Sequence, residues 1–466
     1  MGAVAAVDLG ATSGRLMLGH VDHNELSLRP VARFPNGPVQ REDGLHWDIE
    51  TLHGHVLAGL GAALREDPSV SSVGVDSWAV DYALMAGGRM LAEPFHYRDE
   101  RNVAGVDRVH ALVGPAKLYA SNGLQFLPFN TLYQFAAEHR LADAESFLLV
   151  PDLFNFWFTG TQHAERTNAS TTGLLGISTD EWDDALIGKL GFTRSLFPAL
   201  VNPGTSLGAL LPDVAAPVGA QLEVVAVGSH DTASAVVAVP AASDDYAYIS
   251  CGTWGLVGVE LEHPVLTAAS RAANFTNEGG VDGRVRFLHN VMGLWLLSEC
   301  VREWSHDDLP ALLEQAAAVT TPVPVFDAND PRFLAPGDMP GRIAAWLREH
   351  DQPVPENHAV FVRSIVESLA TAFASAVHTA SELSGKTVST IHIVGGGSLN
   401  DLLCQRTADA AGIPVLAGPV EATAIGNVLI QARAQGFVDG SLETLRSLVA
   451  TAFFPKRFTP AHGDKR

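Results

Sequence analysis

Along most of the chain, short apolar runs of strand length alternate with longer stretches of helical periodicity. The first run, Val4–Asp8, ends on an acid. Gly10-Ala11-Thr12-Ser13-Gly14-Arg15 and a second apolar run, Leu16–Leu18, follow it. Two strand-like segments joined by a turn of small residues predict a β-hairpin. Further strands are expected at Leu26–Phe34, Val70–Val75, Phe147–Val150 and Glu223–Val227, with helices at Ile49–Leu64, Thr131–Leu141 and Asp231–Val239. Strands alternating with helices indicate an α/β fold.

The second half opens in the same way. Tyr246–Ser250 is a strand, Cys251-Gly252-Thr253-Trp254-Gly255 a turn, and Leu256–Glu260 a second strand. A helix Val360–Leu383, a strand Thr390–Val394, the run Gly395-Gly396-Gly397-Ser398 and a helix from Leu402 to Ala411 are expected later. The matched layout of the two hairpins suggests an old duplication with its boundary near Pro240–Asp245, hence domains over 1–240 and 241–466. Two hairpins also arise by coincidence in a chain this long. Pro-rich stretches at Thr321–Pro324 and Asp330–Pro340 read as surface connections.

Composition narrows the class. The 466 residues suit two or three domains, and 47 % hydrophobic with 18 % charged residues suits a large folded core. Lys+Arg number 30 against 52 Asp+Glu, a formal charge of -22. Such acidity argues against nucleic-acid or anionic-membrane partners, which need clustered cations. An anionic ligand would need a local device to overcome the repulsion. No window reads as a membrane span, since stretches such as Leu207–Val227 are broken by Pro, Asp and Glu. Met1–Gly10 lacks the features of a signal peptide. Cys251, Cys300 and Cys404 are widely spaced and read as core residues rather than a disulfide framework or zinc site, which points to a reducing cytoplasm.

Chemistry concentrates in the small-residue turns. Gly10–Arg15 offers backbone N–H groups, the hydroxyls of Thr12 and Ser13, and the Arg15 guanidinium, a set able to cradle a phosphate. Asp8 beside such a loop suggests Mg²⁺ between carboxylate and phosphate. A plain Gly-containing hairpin has the same appearance. Cys251–Gly255, with Thr253, repeats the pattern in thinner form. Gly395–Ser398 lets backbone approach a ligand such as a nucleotide, and a Gly-rich turn is its structural alternative. In Gly228–Ala235 a strand ends and a helix of small residues begins, which places Asp231 where a general base or a helix N-cap is found. The stretch Val73–Tyr82 pairs Asp76 and Asp81 with Trp78, a combination that suits a polyol and equally a core strand. Asn290 precedes an apolar run and reads as a helix cap or a substrate contact.

The order of Asp8–Arg15, Gly74–Tyr82, Ser229–Thr232, Gly252–Trp254 and Gly395–Asn400 resembles the FGGY carbohydrate kinases. Nearly the whole chain is similar to the rhamnulokinase branch, through Arg33-Phe34-Pro35-Asn36, Gln125–Gln134, Thr167–Thr172, Ser229–Val236, Asn274–Gly280, Met292–Leu297 and Gly418–Ala422. The resemblance implies a two-domain actin-like ATPase (ribonuclease H-like) fold of sugar kinases, with the active site in the cleft between an N-terminal sugar-binding and a C-terminal nucleotide-binding domain. It implies ATP- and Mg²⁺-dependent phosphorylation of L-rhamnulose at O1 in L-rhamnose catabolism, by a cytoplasmic monomer or homodimer. Asp231 matches the proton acceptor. Ala79, Asp81, His230, Thr232 and Asn290 match sugar contacts. Ala11, Thr12, Ser13, Gly14 and Arg15 match the first phosphate loop, Thr253, Ser298, Gly396 and Gly397 the other ATP contacts, and Asp8 the Mg²⁺ side.

Three residues depart from the branch's usual pattern. Ala79 replaces a Gly and Ser77 a Thr in the sugar-pocket stretch, and Ser298 stands where a Gln contacts ATP. The Ala79 methyl would narrow the pocket, and a shorter hydroxyl at 298 would need a bridging water. The alternatives are a kinase for another ketose, such as L-fuculose or L-xylulose, and a non-catalytic sugar-binding regulator. Retention of Asp8, Arg15, Asp231 and Thr253 argues against the regulator.

Overall fold

The apolar runs fold into two α/β units, and the computed structural model describes residues 1–306 and 308–461. The first unit comprises Met1–Ala238, Glu260–Phe287 and Ala422–Ala452. The second comprises Val239–Val259, Leu288–Glu421 and the segment from Phe453 onward. The chain thus first leaves the first unit at Ala238, then returns to it twice.

In the first unit, Gly2–Leu9 and Ser13–Val21 form the hairpin, antiparallel in a register that sets Asp8 opposite Arg15. Gly2–Leu9 also pairs in parallel with Val70–Ser77, and the full order is Ser206–Ala209, Glu223–Val225, Val70–Ser77, Gly2–Leu9, Ser13–Val21, Leu26–Pro35. The two central strands are buried along almost their whole length, because helices cover the sheet and both faces are apolar. One covering helix is Ile49–Glu66, capped by the Asp48 carboxylate on Thr51 N. Another is Ala422–Ala434, whose Gln431 Nε2 donates to Ala5 O at 2.9 Å.

Two helices are shorter than the sequence predicts. Thr131–Ala137 stops because Glu138 turns extended and pairs with Arg101 at 3.0 Å. Asp231–Val237 stops ahead of Pro240, which cannot continue a helix.

The second unit repeats the central arrangement. Tyr246–Cys251 lies between its antiparallel partner Trp254–Leu261 and the parallel strand Thr390–Val394, and the latter pairs onward with Val415–Ala417. The expected helix near 360–383 is His358–Ser384, and it is long and apolar enough, by length and composition, to cross a membrane, where the sequence pattern suggested no such span. Its most apolar window is 67 % buried, and Phe373 packs so tightly on the hairpin that a Cβ on Gly255 would lie 2.5 Å from its ring. All three cysteines are buried and free.

Candidate active site

The parallel strands of the first unit end side by side, so their last residues share one edge. Asp8 is 5 % exposed, lies 3.5 Å from Arg15 Nε, and pairs in register with Asp76 on the neighbouring strand. Asp76 is fully buried. Its Oδ2 accepts from Asn427 Nδ2 at 2.5 Å, and its Oδ1 has no hydrogen-bond partner in the protein. Burial, then the charge of Asp8, push the Asp76 carboxyl well above the usual range. Asn427 reaches it because Gly74 has no side chain: a Cβ there would lie 2.8 Å from Asn427 Oδ1. Asn427 was not among the residues the sequence pointed to, since nothing in its helix distinguishes it before the helix is docked.

The turn that follows Asp8 is clamped from outside. Asn36 Nδ2 donates to Gly10 O at 2.8 Å and Asn36 N to Thr12 O at 3.2 Å. Thr12 is exposed, and Ala11, Ser13 and Arg15 are half-buried. Gly14 differs from them: it is buried, and a Cβ would sit 2.1 Å from the Phe34 ring. Its smallness serves packing of the hairpin.

Ser77–Asp81 leads from the sheet into a turn held on every side. Ser77 N donates to Ser229 O at 2.9 Å and Trp78 N to Leu9 O at 3.1 Å. Val80 has φ +69°, a conformation that costs a non-glycine residue about 1–3 kcal/mol. Its carbonyl accepts from Thr131 Oγ1 at 2.7 Å and Gln134 Nε2 at 3.3 Å. Half-buried Ala79 sits in this turn. Asp81 Oδ2 accepts from Trp47 Nε1, Trp78 Nε1 and Tyr97 N, and Oδ1 from Gln134 Nε2. Burial pushes its carboxyl up to about 7 against those donors. The carboxylate assigned to sugar thus already has both oxygens bonded within the protein, and it fixes the Trp47–Trp78 pair, whose rings lie 4.0 Å apart.

The third strand end supplies Gly228–Thr232. Asp231 is the first residue of its helix. His230 holds the cap position, with no side-chain cap bond, so Asp231 is not the N-cap. The Asp231 side chain is 33 % exposed, while His230 is buried. Thr232 Oγ1 donates to Asp231 Oδ1 at 3.0 Å, and His230 Nε2 lies 3.4 Å from the same oxygen. Behind the loop, fully buried Glu165 accepts from Thr167 N, Thr167 Oγ1, Asn168 N, Ser229 N and Ser229 Oγ. Burial raises its carboxyl, and these donors oppose the shift. On the far side of His230, Arg286 Nη2 lies 3.0 Å from Nδ1, Arg286 Nη1 lies 3.1 Å from Glu278 Oε2, and Arg286 Nε donates to Gly279 O at 3.0 Å. Burial opposes the Glu278 charge, yet the Arg286 guanidinium beside it holds its carboxyl below the usual range. Sequence reasoning missed Glu165, Glu278 and Arg286, although Glu278 lies inside the Asn274–Gly280 segment.

Thr253, Ser298, Gly396, Gly397 and Asn290 belong to the second unit. Thr253 lies in the turn of its hairpin. Leu294 N donates to Gly252 O at 2.9 Å and Trp295 N to Thr253 O at 3.2 Å, which joins the turn to the start of helix Trp295–Glu303. Gly293 permits this approach, since a Cβ would lie 2.5 Å from the Trp254 backbone. Ser298 is exposed on that helix. Asn290 lies within strand Val285–Met292, which removes the helix-cap reading. The glycine run has split roles. Gly395 has φ +82°, and a Cβ on Gly397 would strike Cys251 Sγ at 2.3 Å, whereas Gly396 is exposed with open space around it. Burial pushes the Cys251 thiol up to about 12, so it is an inert packing group.

Two buried carboxylates with an unpartnered oxygen fit a small hard cation, which takes one or two protein carboxylates and keeps water and phosphate as its other ligands. Among the described residues, no group of three or more His, Cys, Asp or Glu is arranged to hold a metal by itself.

Residues 3–238 match the FGGY family of carbohydrate kinases, N-terminal domain, and residues 247–435 its C-terminal domain. The chain belongs to the FGGY family of carbohydrate kinases: it is an ATP-dependent phosphotransferase with an alcohol group as acceptor. Its fold is similar to that of a ligand-bound xylulose kinase from Lactobacillus acidophilus (TM-score 0.80, 16 % identity, 99 % of this chain and 94 % of that one). It is also similar to a gluconate kinase from the same organism (0.78, 15 %, 99 % and 94 %) and to Plasmodium falciparum glycerol kinase with ADP (0.77, 14 %, 99 % and 94 %).

Proposed function

We propose that this kinase phosphorylates L-rhamnulose at O1, with ATP as donor and Asp231 as the general base. The observation that carries the assignment of the base is the exposure of Asp231 beside buried, fixed neighbours: its carboxylate is reachable while the loop that bears it is pinned through Ser229 and His230. The choice of sugar rests on the long segments similar to the rhamnulokinase branch, above all Gln125–Gln134 and Asn274–Gly280.

In this reading Asp231 takes the proton of the attacking hydroxyl. A new bond forms from that oxygen to the γ-phosphorus as the bond to the bridging oxygen of the leaving ADP breaks. Mg²⁺, held through Asp8 with Asp76 behind it, would neutralise phosphate charge. Ala11–Ser13, Arg15, Thr253 and Gly396 are the nucleotide contacts. Asn290 and Thr232 contact the sugar with His230. Ser298 reaches the nucleotide through water. Gly14 and Gly397 act through packing of the loops, and Asp81 acts by shaping the tryptophan wall. Cytoplasmic location is part of the same proposal.

The test is ADP release with L-rhamnulose, L-fuculose, L-xylulose and other ketoses. The highest kcat/KM is expected for L-rhamnulose, and a preference for another ketose overturns the sugar assignment. Asp231→Asn should lose about 10²–10⁴-fold in kcat while sugar binding remains measurable by calorimetry. Wild-type turnover in that variant overturns the role of Asp231.

A further inference from the structure

We infer that buried Arg286 sets the tautomer of His230, so that His230 donates from Nε2 to Asp231 and Arg286 is a positioning residue for the general base. The inference rests on the reading of Asp231 as the base.

The argument starts from hydrogen-bond inventory. A guanidinium carries only donors and keeps its charge in proteins. Arg286 Nη2 lies 3.0 Å from His230 Nδ1. A proton on Nδ1 would set donor against donor. Nδ1 therefore presents its lone pair, and the ring proton sits on Nε2. Nε2 is the nitrogen that lies 3.4 Å from Asp231 Oδ1.

Arg286 is held in place for this task. It is fully buried, its Nη1 pairs with Glu278 Oε2 at 3.1 Å and its Nε donates to Gly279 O at 3.0 Å. Gly279 N in turn donates to Ser170 Oγ at 2.8 Å. Glu278 Oε2 also lies 3.4 Å from His230 Nδ1, farther than Arg286 is, so the carboxylate serves the guanidinium first. The main chain that carries the ring is tied down, because His230 N donates to Thr167 Oγ1 at 3.3 Å, and the residue itself is buried.

The consequence falls on Asp231. Its Oδ1 faces two donors, Thr232 Oγ1 and His230 Nε2, and is spent on orientation. Oδ2 is then the oxygen that takes the proton from the sugar hydroxyl. A separation of 3.4 Å is long for an orienting bond, as catalytic hydrogen bonds often are before substrate is bound.

The experiment is long-range ¹H–¹⁵N correlation on the full chain labelled with ¹⁵N-histidine near neutral pH, with the His230 signals identified by their loss in His230→Gln. An unprotonated Nδ1 with a protonated Nε2 is expected, and a protonated Nδ1 overturns the inference. Kinetics give a second readout. Gln carries an amide to about the place of Nε2 and Asn to about the place of Nδ1, so His230→Gln should retain at least about tenfold more kcat than His230→Asn. Equal losses, in variants that melt alike, overturn the donor role. In Arg286→Lys the charge stays beside Glu278 but the fork is lost. The His230 spectrum should shift toward a mixture of tautomers and kcat should fall more than the sugar KM rises; a wild-type spectrum with wild-type kcat removes Arg286 from the role. If Arg286→Lys does not fold, the wild-type spectrum and the two His230 variants decide. Absence of phosphoryl transfer to any ketose would sink the proposed function yet leave the spectrum readable, so the two failures are distinct.

Discussion

Removal of the Glu165 carboxylate should loosen the loop that bears Asp231, and the structure sets the size of the effect. Oε1 accepts from Thr167 N at 2.8 Å. Oε2 accepts from Thr167 Oγ1 at 2.5 Å, Ser229 Oγ at 2.7 Å, Ser229 N at 2.9 Å and Asn168 N at 3.3 Å. Hydroxyls can rotate to other acceptors, but backbone N–H groups cannot. Glu165→Ala leaves Thr167 N, Asn168 N and Ser229 N buried without that acceptor, at about 1–3 kcal/mol each, so a loss of about 3–9 kcal/mol is expected. Glu165→Gln is gentler. Its amide nitrogen takes the Oε1 position, where it opposes one donor instead of four, at about 1–3 kcal/mol. Ser229 lies two residues before Asp231, and a displacement of about 1 Å there costs about 10²-fold in rate. The assay is thermal melting beside steady-state kinetics. The expected order in both stability and kcat is wild type, then Gln, then Ala. An alanine variant that melts with the wild type and keeps its kcat would refute the reasoning.

Other outcomes follow from the same geometry. Asp81 has a folded value raised to about 7 against an ordinary 3.8, so the folded state binds the extra proton between them and stability falls as pH rises through that window. Wild type should lose ground to Asp81→Asn by about 1.4 kcal/mol per pH unit there, and a pH-independent difference in denaturation midpoints would contradict it. Gly14→Ala forces a methyl onto the Phe34 ring, so melting should fall by an amount matching about 1–3 kcal/mol; an unchanged melting point would show that the ring moves freely. Asn36→Ala frees the carbonyl of Gly10, and the ATP KM should rise several-fold at nearly constant sugar KM; equal change in both constants would count against a nucleotide-loop role.

Much of this was legible in the chain. The two hairpins, the strand Thr390–Val394 and the long helix near 360–383 follow from local patterns, because strand and turn preferences act over a few residues. The placement of Asp231 and Gly10–Arg15 was legible for the same reason, since a strand end followed by a small-residue turn is a local signature. The resemblance added the family, which the matches over 3–238 and 247–435 bear out.

Tertiary structure decided what surrounds those residues. Asp81 reads as a substrate contact, but Trp47, Trp78, Tyr97 and Gln134 use its oxygens, and three of those four donors lie more than ten residues away. Gly14 and Gly397 read as ligand loops, yet Phe34 and Cys251 fill the space a side chain would need. Glu165, Arg286 and Asn427 have no local signature, because their meaning lies in partners 64, 56 and 351 residues away along the chain. The sequence by itself thus determined the elements and the turns that carry the chemistry. The packing of distant segments alone decided which polar groups are spent inside the protein and which, like the half-exposed carboxylate of Asp231, are left open to solvent.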